Sequence, residues 1–205
     1  MAATLEPRSV SFPARPEGDP YFLTADDFYR MVDADIFPDD RRVGLWDGWI
    51  YEKMAKKQAH DVSSTVAFYT LVRVLPAGWH ASVGSPVTLD ESRVPLPDLV
   101  VRRGDPRDYR HRRAEVADVG LVIELADSSL KFDTSVKLEG YARAGIPTYW
   151  VFNLIENVIH AYTDPIPAEG RFGSLTTVAF DGSLSFQLGE LTVGPIAASD
   201  LLPAP

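Results

Sequence analysis

The feature that most restricts the fold is the run "VGLVIEL", in which residues 119 to 125 are almost continuously apolar. Such a run suits a central strand buried on both faces, because a strand with one wet face alternates apolar and polar residues. The stretch after it, "ADSSLKFDTSVKLEGYARAGIP", reads as a loop and then a helix beginning at Asp133. There Leu138, Tyr141, Ala142 and Gly145 follow the i, i+3, i+4, i+7 rule, and Gly145 before Ile146-Pro147 is a stop signal. "TYWVFNL" then returns to strand. Glu124 interrupts this pattern by placing a carboxylate inside the apolar run.

The rest of the chain extends the same mixed pattern. "TADDFYRMV" gives a short helix with Thr24 as N-cap. In "RRVGLWDGWIYEKMA", Asp47-Gly48 between two apolar-rich runs predicts a two-residue hairpin. Period two sets Ile50, Glu52 and Met54 on one face of its second strand, and Trp49, Tyr51 and Lys53 on the other. A helix is predicted from Gln58 to Leu75, ended by Pro76 and Gly78. It has two apolar stripes, Val62/Val66/Tyr69/Val72 and Ala67/Leu71/Val74, and His60 lies near the start of the second; this helix is expected to be covered on two sides. "WHASVGSPVTLD", "PLPDLVVR", "NVIHAYT", "SLTTVAF" and "SLSFQL" supply further strands. The succession predicts an α+β (mixed α/β) fold, a central sheet with a helix before and a helix after its central strands.

At 205 residues the chain fits one domain, read as residues 21–205 behind a Pro- and Ala-rich, poorly ordered arm at residues 1–20. It has no cysteine, which excludes a disulfide framework and a cysteine-ligated zinc site. Its N-terminus lacks the apolar centre of a signal peptide, and no apolar stretch is long enough to span a membrane, so a cytoplasmic protein is expected. A net charge of −9 argues against nonspecific coating of nucleic acid. The segment "RRGDPRDYRHRR" nevertheless holds Arg102, Arg103, Arg107, Arg110, Arg112 and Arg113, as a solvated loop or a phosphate-contacting one.

Three acids sit in apolar strand contexts: Glu52, Asp98 in "PLPDLVV", and Glu124. Burying an ionised carboxylate without a partner costs several kcal/mol even after relaxation, so each needs a counter-charge or a cation. If the strands of Asp98 and Glu124 pair, their carboxylates converge at one sheet end, and hard oxygen ligands of this kind suit Mg²⁺. The alternative is that each acid caps a loop or meets a nearby arginine. Lys137 flanks the apolar stripe of its helix beside Tyr141. It either bends toward the sheet end or forms a surface i, i+4 pair with Asp133.

These residues carry a resemblance. From Trp46 to Leu154, and more loosely to the C-terminus, "WDGWIYEKM" followed by His60, then "PLPDLVV", "LVIELADSS", Asp133 and Lys137 of "DTSVK", and "YARAGIPTYWVFNL" resemble the Uma-type (Uma-two) restriction-endonuclease family of the PD-(D/E)XK nuclease superfamily. The resemblance implies a restriction-endonuclease-like core, a mixed four-stranded sheet flanked by helices with additional β-hairpins. It makes Asp98 and Glu124 the acids of the motif. The motif's usual lysine, two residues after the second acid, is replaced here by Ala126, and the family pattern assigns that role to Lys137 on the following helix. Asp127-Ser128 departs from the Ser-Pro pair of many relatives.

The implied activity is Mg²⁺-dependent hydrolysis of DNA phosphodiesters, with Mn²⁺ as a substitute. Asp98, Glu124 and the backbone carbonyl of Leu125 would hold the metal, and Lys137 would orient or deprotonate water or stabilise phosphate oxygens. Glu52 and His60 are accessory, and the arginines of the basic loop are candidate DNA contacts. The expected substrate is duplex or branched DNA, and a homodimer would let two sites cut two strands. The first rival is a non-cleaving module that binds nucleic acid or protein on the same fold. The second is a metal-free sugar hydrolase using the two acids.

Overall fold

The computed structural model describes residues 18–53 and 58–202. Nearly all of the expected arm, residues 1–17, and Met54 lie outside the described residues. Helix α1 (Ala25–Asp33) starts from the expected cap: the Thr24 hydroxyl accepts from the Asp27 N–H, and the Asp27 carboxylate receives the Thr24 N–H in return. Strands β1 (Val43–Trp46) and β2 (Trp49–Glu52) form the predicted hairpin. Its two turn residues, Asp47 and Gly48, both have left-handed backbones, φ 49° and 77°, the conformation that Asp-Gly favours in a primed turn.

Helix α2 (Gln58–Val74) follows, then β3 (Trp79–Val83), β4 (Leu99–Arg103) and β5 (Val119–Ala126). Helix α2 is covered on one side only: Ala67 and Leu71 are fully buried, whereas Val62, Tyr69 and Val72 are exposed. The wheel gave two apolar stripes, but the side that packs is the one carrying the small side chains Ser63, Ser64, Ala67 and Thr70, which let the helix approach β3 and β5 closely.

After β5 come α3 (Leu130–Phe132), a π-helical turn over Asp133–Lys137, and α4 (Leu138–Ala144), which run on from one another. The helical region therefore begins three residues before the expected Asp133, and Asp133 opens its π turn. Gly145 closes it in a left-handed conformation, φ 79°, with its N–H on the Ala142 carbonyl and that of Ile146 on Tyr141. Strands β6 (Thr148–Asn153), β7 (Val158–Ile166) and β8 (Arg171–Ala179) complete a six-stranded mixed sheet of order β3-β4-β5-β6-β7-β8, larger than the expected four. β9 (Ser183–Leu188) and β10 (Leu191–Ala197) form a second hairpin.

β5 pairs antiparallel with β4 and parallel with β6, and all eight of its residues are buried. Leu121, Ile123 and Leu125 pack on the α2 and β9/β10 side. Val122 and Ala126 pack on the other, with Tyr141 and Ala142 of α4. Glu124 therefore faces α4. Among the described residues no helix is long and apolar enough to cross a membrane.

Candidate active site

The β4/β5 register pairs Leu99 with Ile123 and Val100 with Val122, so one step further it sets Asp98 opposite Glu124. Carboxylates directly across an antiparallel pair repel, and both are almost completely buried. The sequence resolves this with cations from two other elements. Lys53, the residue after β2, places its Nζ 2.8 Å from Asp98 Oδ1 and 3.1 Å from Glu124 Oε2. The same ammonium donates to the Leu96 carbonyl at 2.9 Å. Tyr51 ties this segment to the hairpin, its hydroxyl accepting from the Leu96 N–H at 3.2 Å.

Lys137 approaches from the opposite side. Its Nζ lies 3.1 Å from Glu124 Oε1 and 2.7 Å from Asp133 Oδ1. The Tyr141 hydroxyl, one turn on, donates to the same Glu124 oxygen at 3.0 Å. The π turn sets this geometry: it carries Asp133 and Lys137 inward together, both buried. The Asp133 carbonyl accepts from the Tyr149 hydroxyl at 2.9 Å, and its Oδ2 from the Ser129 hydroxyl at 2.6 Å. Such turns recur at functional sites.

On the far side of Asp98, Oδ2 accepts from the Leu125 N–H at 3.0 Å and lies 3.1 Å from His60 Nε2, at the start of α2. Five elements thus converge on one end of the sheet: the end of β2, the start of α2, the start of β4, the end of β5 and the π turn.

Electrostatically the two acids differ. Burial alone would raise the Asp98 carboxyl, but the His60 hydrogen bond and the Lys53 charge together outweigh it and hold it well below the usual carboxylate range. Burial pushes the Glu124 carboxyl up against the opposing pull of Lys137 and Lys53, with Asp98 and Asp133 adding to the rise. Burial would lower Lys137, yet Glu124 and Asp133 more than reverse this and keep the ammonium charged.

Of the residues singled out in the sequence, the structure brings together Asp98, Glu124, Lys137 and His60. Leu125 joins through its N–H, and the carbonyl on the Lys53 ammonium is that of Leu96. Glu52 is elsewhere, half-exposed and paired with Arg41 at 2.8 Å. It is Tyr51 and Lys53 that turn to the Asp98/Glu124 end of the sheet. Nothing in the alternation marks which face points inward. Both readings of Lys137 hold at once, since it meets Asp133 and Glu124, although that pair is buried rather than on the surface.

The arginine loop does not reach the acids. It follows the opposite end of β4, where Arg102 and Arg103 lie roughly 13 to 16 Å from Asp98 at the ordinary rise per strand residue. Several of its guanidiniums are engaged locally. Arg107 pairs with Asp105, Arg112 with Asp118 and Arg113 with Asp33, while the largely buried Arg102 donates to Ser82. Arg103 lies over the Trp79 ring, and Arg110 is exposed. Nor do the tryptophans form a sugar-type cleft at the acids: Trp150 is in the core against Phe186, and Trp49 is exposed.

The oxygen donors at this end of the sheet are of the kind a divalent cation takes. Two carboxylate oxygens and one carbonyl oxygen, all hard donors, already converge on a single positive charge.

Residues 25–190 match the model of a family, Uma2, described as "Putative restriction endonuclease". Among solved structures, the chain is similar to one from Anabaena variabilis ATCC 29413 described as a "putative nuclease belonging to DUF820". The match has a TM-score of 0.63 and 16% identity, over 87% of this chain and 97% of that one. The likeness is one of fold. No curated protein matches.

Proposed function

Because the chain belongs to the Uma2 family, matched over residues 25–190, we propose that it is a metal-dependent endonuclease hydrolysing DNA phosphodiesters. The observation that carries this reading is the convergence of Asp98 Oδ1, Glu124 Oε2 and the Leu96 carbonyl on one cation position. Asp98, Glu124 and the Leu96 carbonyl would hold Mg²⁺ or Mn²⁺ there, with the Leu125 carbonyl as the family pattern implies. A divalent ion supplies charge that offsets the negative charge developing on the phosphate, and it acidifies water.

The chain's own residues do the rest. Asp98 stays ionised because the His60 hydrogen bond and the Lys53 charge outweigh its burial, and its second oxygen is also held by the Leu125 N–H. Lys137, kept protonated by two acids, is suited to donate rather than to act as a base. Two of its three N–H donors serve Glu124 and Asp133, and the third is available to a water or a phosphate oxygen. In the reaction the water oxygen bonds to phosphorus and releases a proton to solvent as the bond to the leaving oxygen breaks and that oxygen takes up a proton from solvent. A cytoplasmic homodimer, one site per strand, completes the proposal.

One observation favours a second reading. Lys53 already pairs with both acids, so the cluster could serve as a structural ion-pair core in a module that binds without cutting. Cleavage assays with Mg²⁺ and Mn²⁺ on duplex, single-stranded and branched DNA separate the two. Asp98→Ala and Lys137→Ala are each expected to lose on the order of a hundredfold in rate. Equal cleavage by wild type and both variants would sink the assigned site.

A further inference from the structure

Lys53 stands in the position where the metal reading, on which this inference rests, places a divalent ion. We propose that Lys53 is a built-in counter-ion that holds Asp98 and Glu124 together in the metal-free protein and leaves their shared position when a divalent ion enters. Three contacts make the ammonium a stand-in: two carboxylates 2.8 and 3.1 Å away and a carbonyl at 2.9 Å. A lysine and a metal cannot share those oxygens at these distances.

Charge points the same way. Lys53 is shared by Asp98 and Glu124, and Lys137 by Glu124 and Asp133. A divalent ion entering beside the Lys53 ammonium would set like charges in contact in a desolvated site, which is costly at low dielectric.

The two lysines differ in their freedom to move. Lys137 is locked on the π turn between two acids and buried, its side chain 7% exposed. Lys53 follows the last residue of β2, and its side chain is 14% exposed. Its ammonium sits at the end of a flexible four-carbon stem that lies outside any helix. Lys53 is in this sense a positioning residue: it pre-sets the spacing of the metal's two carboxylate ligands and competes with the ion for them.

The test uses the full chain. Lysine acetylation by a hydroxysuccinimide ester, read by peptide mass spectrometry, is compared with and without saturating Mn²⁺. Modification of Lys53 is expected to rise at least about fivefold with Mn²⁺ while that of Lys137 stays flat. Calorimetric titration with Mn²⁺ then compares wild type, Lys53→Met and Asp98→Asn. Lys53→Met is expected to bind at least about tenfold more tightly than wild type, and Asp98→Asn more weakly.

Unchanged Lys53 labelling at saturation, or equal or weaker Mn²⁺ binding by a folded Lys53→Met, overturns the proposal. Mn²⁺ binding that still depends on Asp98 would then leave the metal-site reading standing. Absence of Mn²⁺ binding by wild type and Lys53→Met alike overturns both. The labelling arm needs no variant, so it decides even if Lys53→Met folds poorly.

Discussion

Replacing Lys137 by Met tests whether the buried network is ionised as its geometry demands. Methionine keeps an unbranched stem and removes the charge, which lies 3.1 Å from Glu124, 2.7 Å from Asp133 and 5.6 Å from the Phe132 ring centroid. At an effective dielectric near 20, each contact is a Coulomb attraction of ~5 kcal/mol, offset by a desolvation cost of several kcal/mol per ion. The intact pair therefore contributes little net stability, but breaking it strands two buried acids. We expect Lys137→Met to lose about 3 to 5 kcal/mol in urea denaturation at neutral pH. Glu124→Gln and the double variant complete a cycle, with a coupling energy of about 2 to 3 kcal/mol. The pH dependence supplies an independent sign. A lysine whose folded pKa is raised contributes stability that is fully present below its ordinary 10.5 and is lost as pH rises beyond it. The deficit of Lys137→Met should thus be constant through neutral and mildly alkaline pH and shrink only above that value. A coupling energy under ~0.5 kcal/mol would refute the ionised network.

Three further outcomes follow from the same contacts. A methyl group added at Gly140 would stand 2.5 Å from two ring carbons of Trp46. Gly140→Ala should therefore cost about 1 to 3 kcal/mol by overpacking, lowering the melting temperature by roughly 3 to 10 °C; an unchanged melting curve would show that the Trp46 ring yields freely. Glu52→Ala, which removes a half-exposed pair with Arg41, should change stability by less than about 1 kcal/mol and leave DNA cleavage intact, whereas a large loss of rate would return Glu52 to the chemistry. Asp98 has a depressed folded pKa, so its stabilisation is present above its ordinary 3.8 and is lost as pH falls below it. The stability gap between wild type and Asp98→Asn, followed by denaturant titration across pH, should close on acidification, and a gap that widens would contradict the assigned partners.

Much of the fold was legible because its signals are local. The Asp47-Gly48 turn, the Thr24 cap, the Gly145 stop and the continuous apolar run of β5 each state their conformation within a few residues. What stayed hidden was tertiary choice. Helix α2 offered two apolar stripes, and only packing could choose the one lined with Ser63, Ser64 and Ala67. The π turn at Asp133–Lys137 has no periodicity of its own, so the wheel placed Lys137 at the edge of a stripe when the wider turn carries it inside. Composition marks the arginine cluster as a solvated or a phosphate-contacting loop, yet does not say at which end of β4 it lies.

At position 126, where the resembled motif implies a lysine, this chain has alanine, and the ammonium beside Glu124 comes from elsewhere. Ala126 lies two residues after Glu124 on the same face of β5 and is fully buried, in one apolar cluster with Tyr141 and Tyr149. A lysine there would have to thread its stem beneath α4, where these rings fill the space. Lys137 reaches Glu124 from the facing helix instead, and Tyr141, which donates to the same carboxylate oxygen, is one turn further along. Moving the cation from strand to helix exchanges one long side chain under a helix for a small alanine, which lets α4 settle on β5. It also brings Asp133 into the site as a second acid that holds the ammonium charged. Asp133, Lys137 and Tyr141 follow an i, i+4, i+8 spacing that sets a second acid, an ammonium and a hydroxyl beside Glu124.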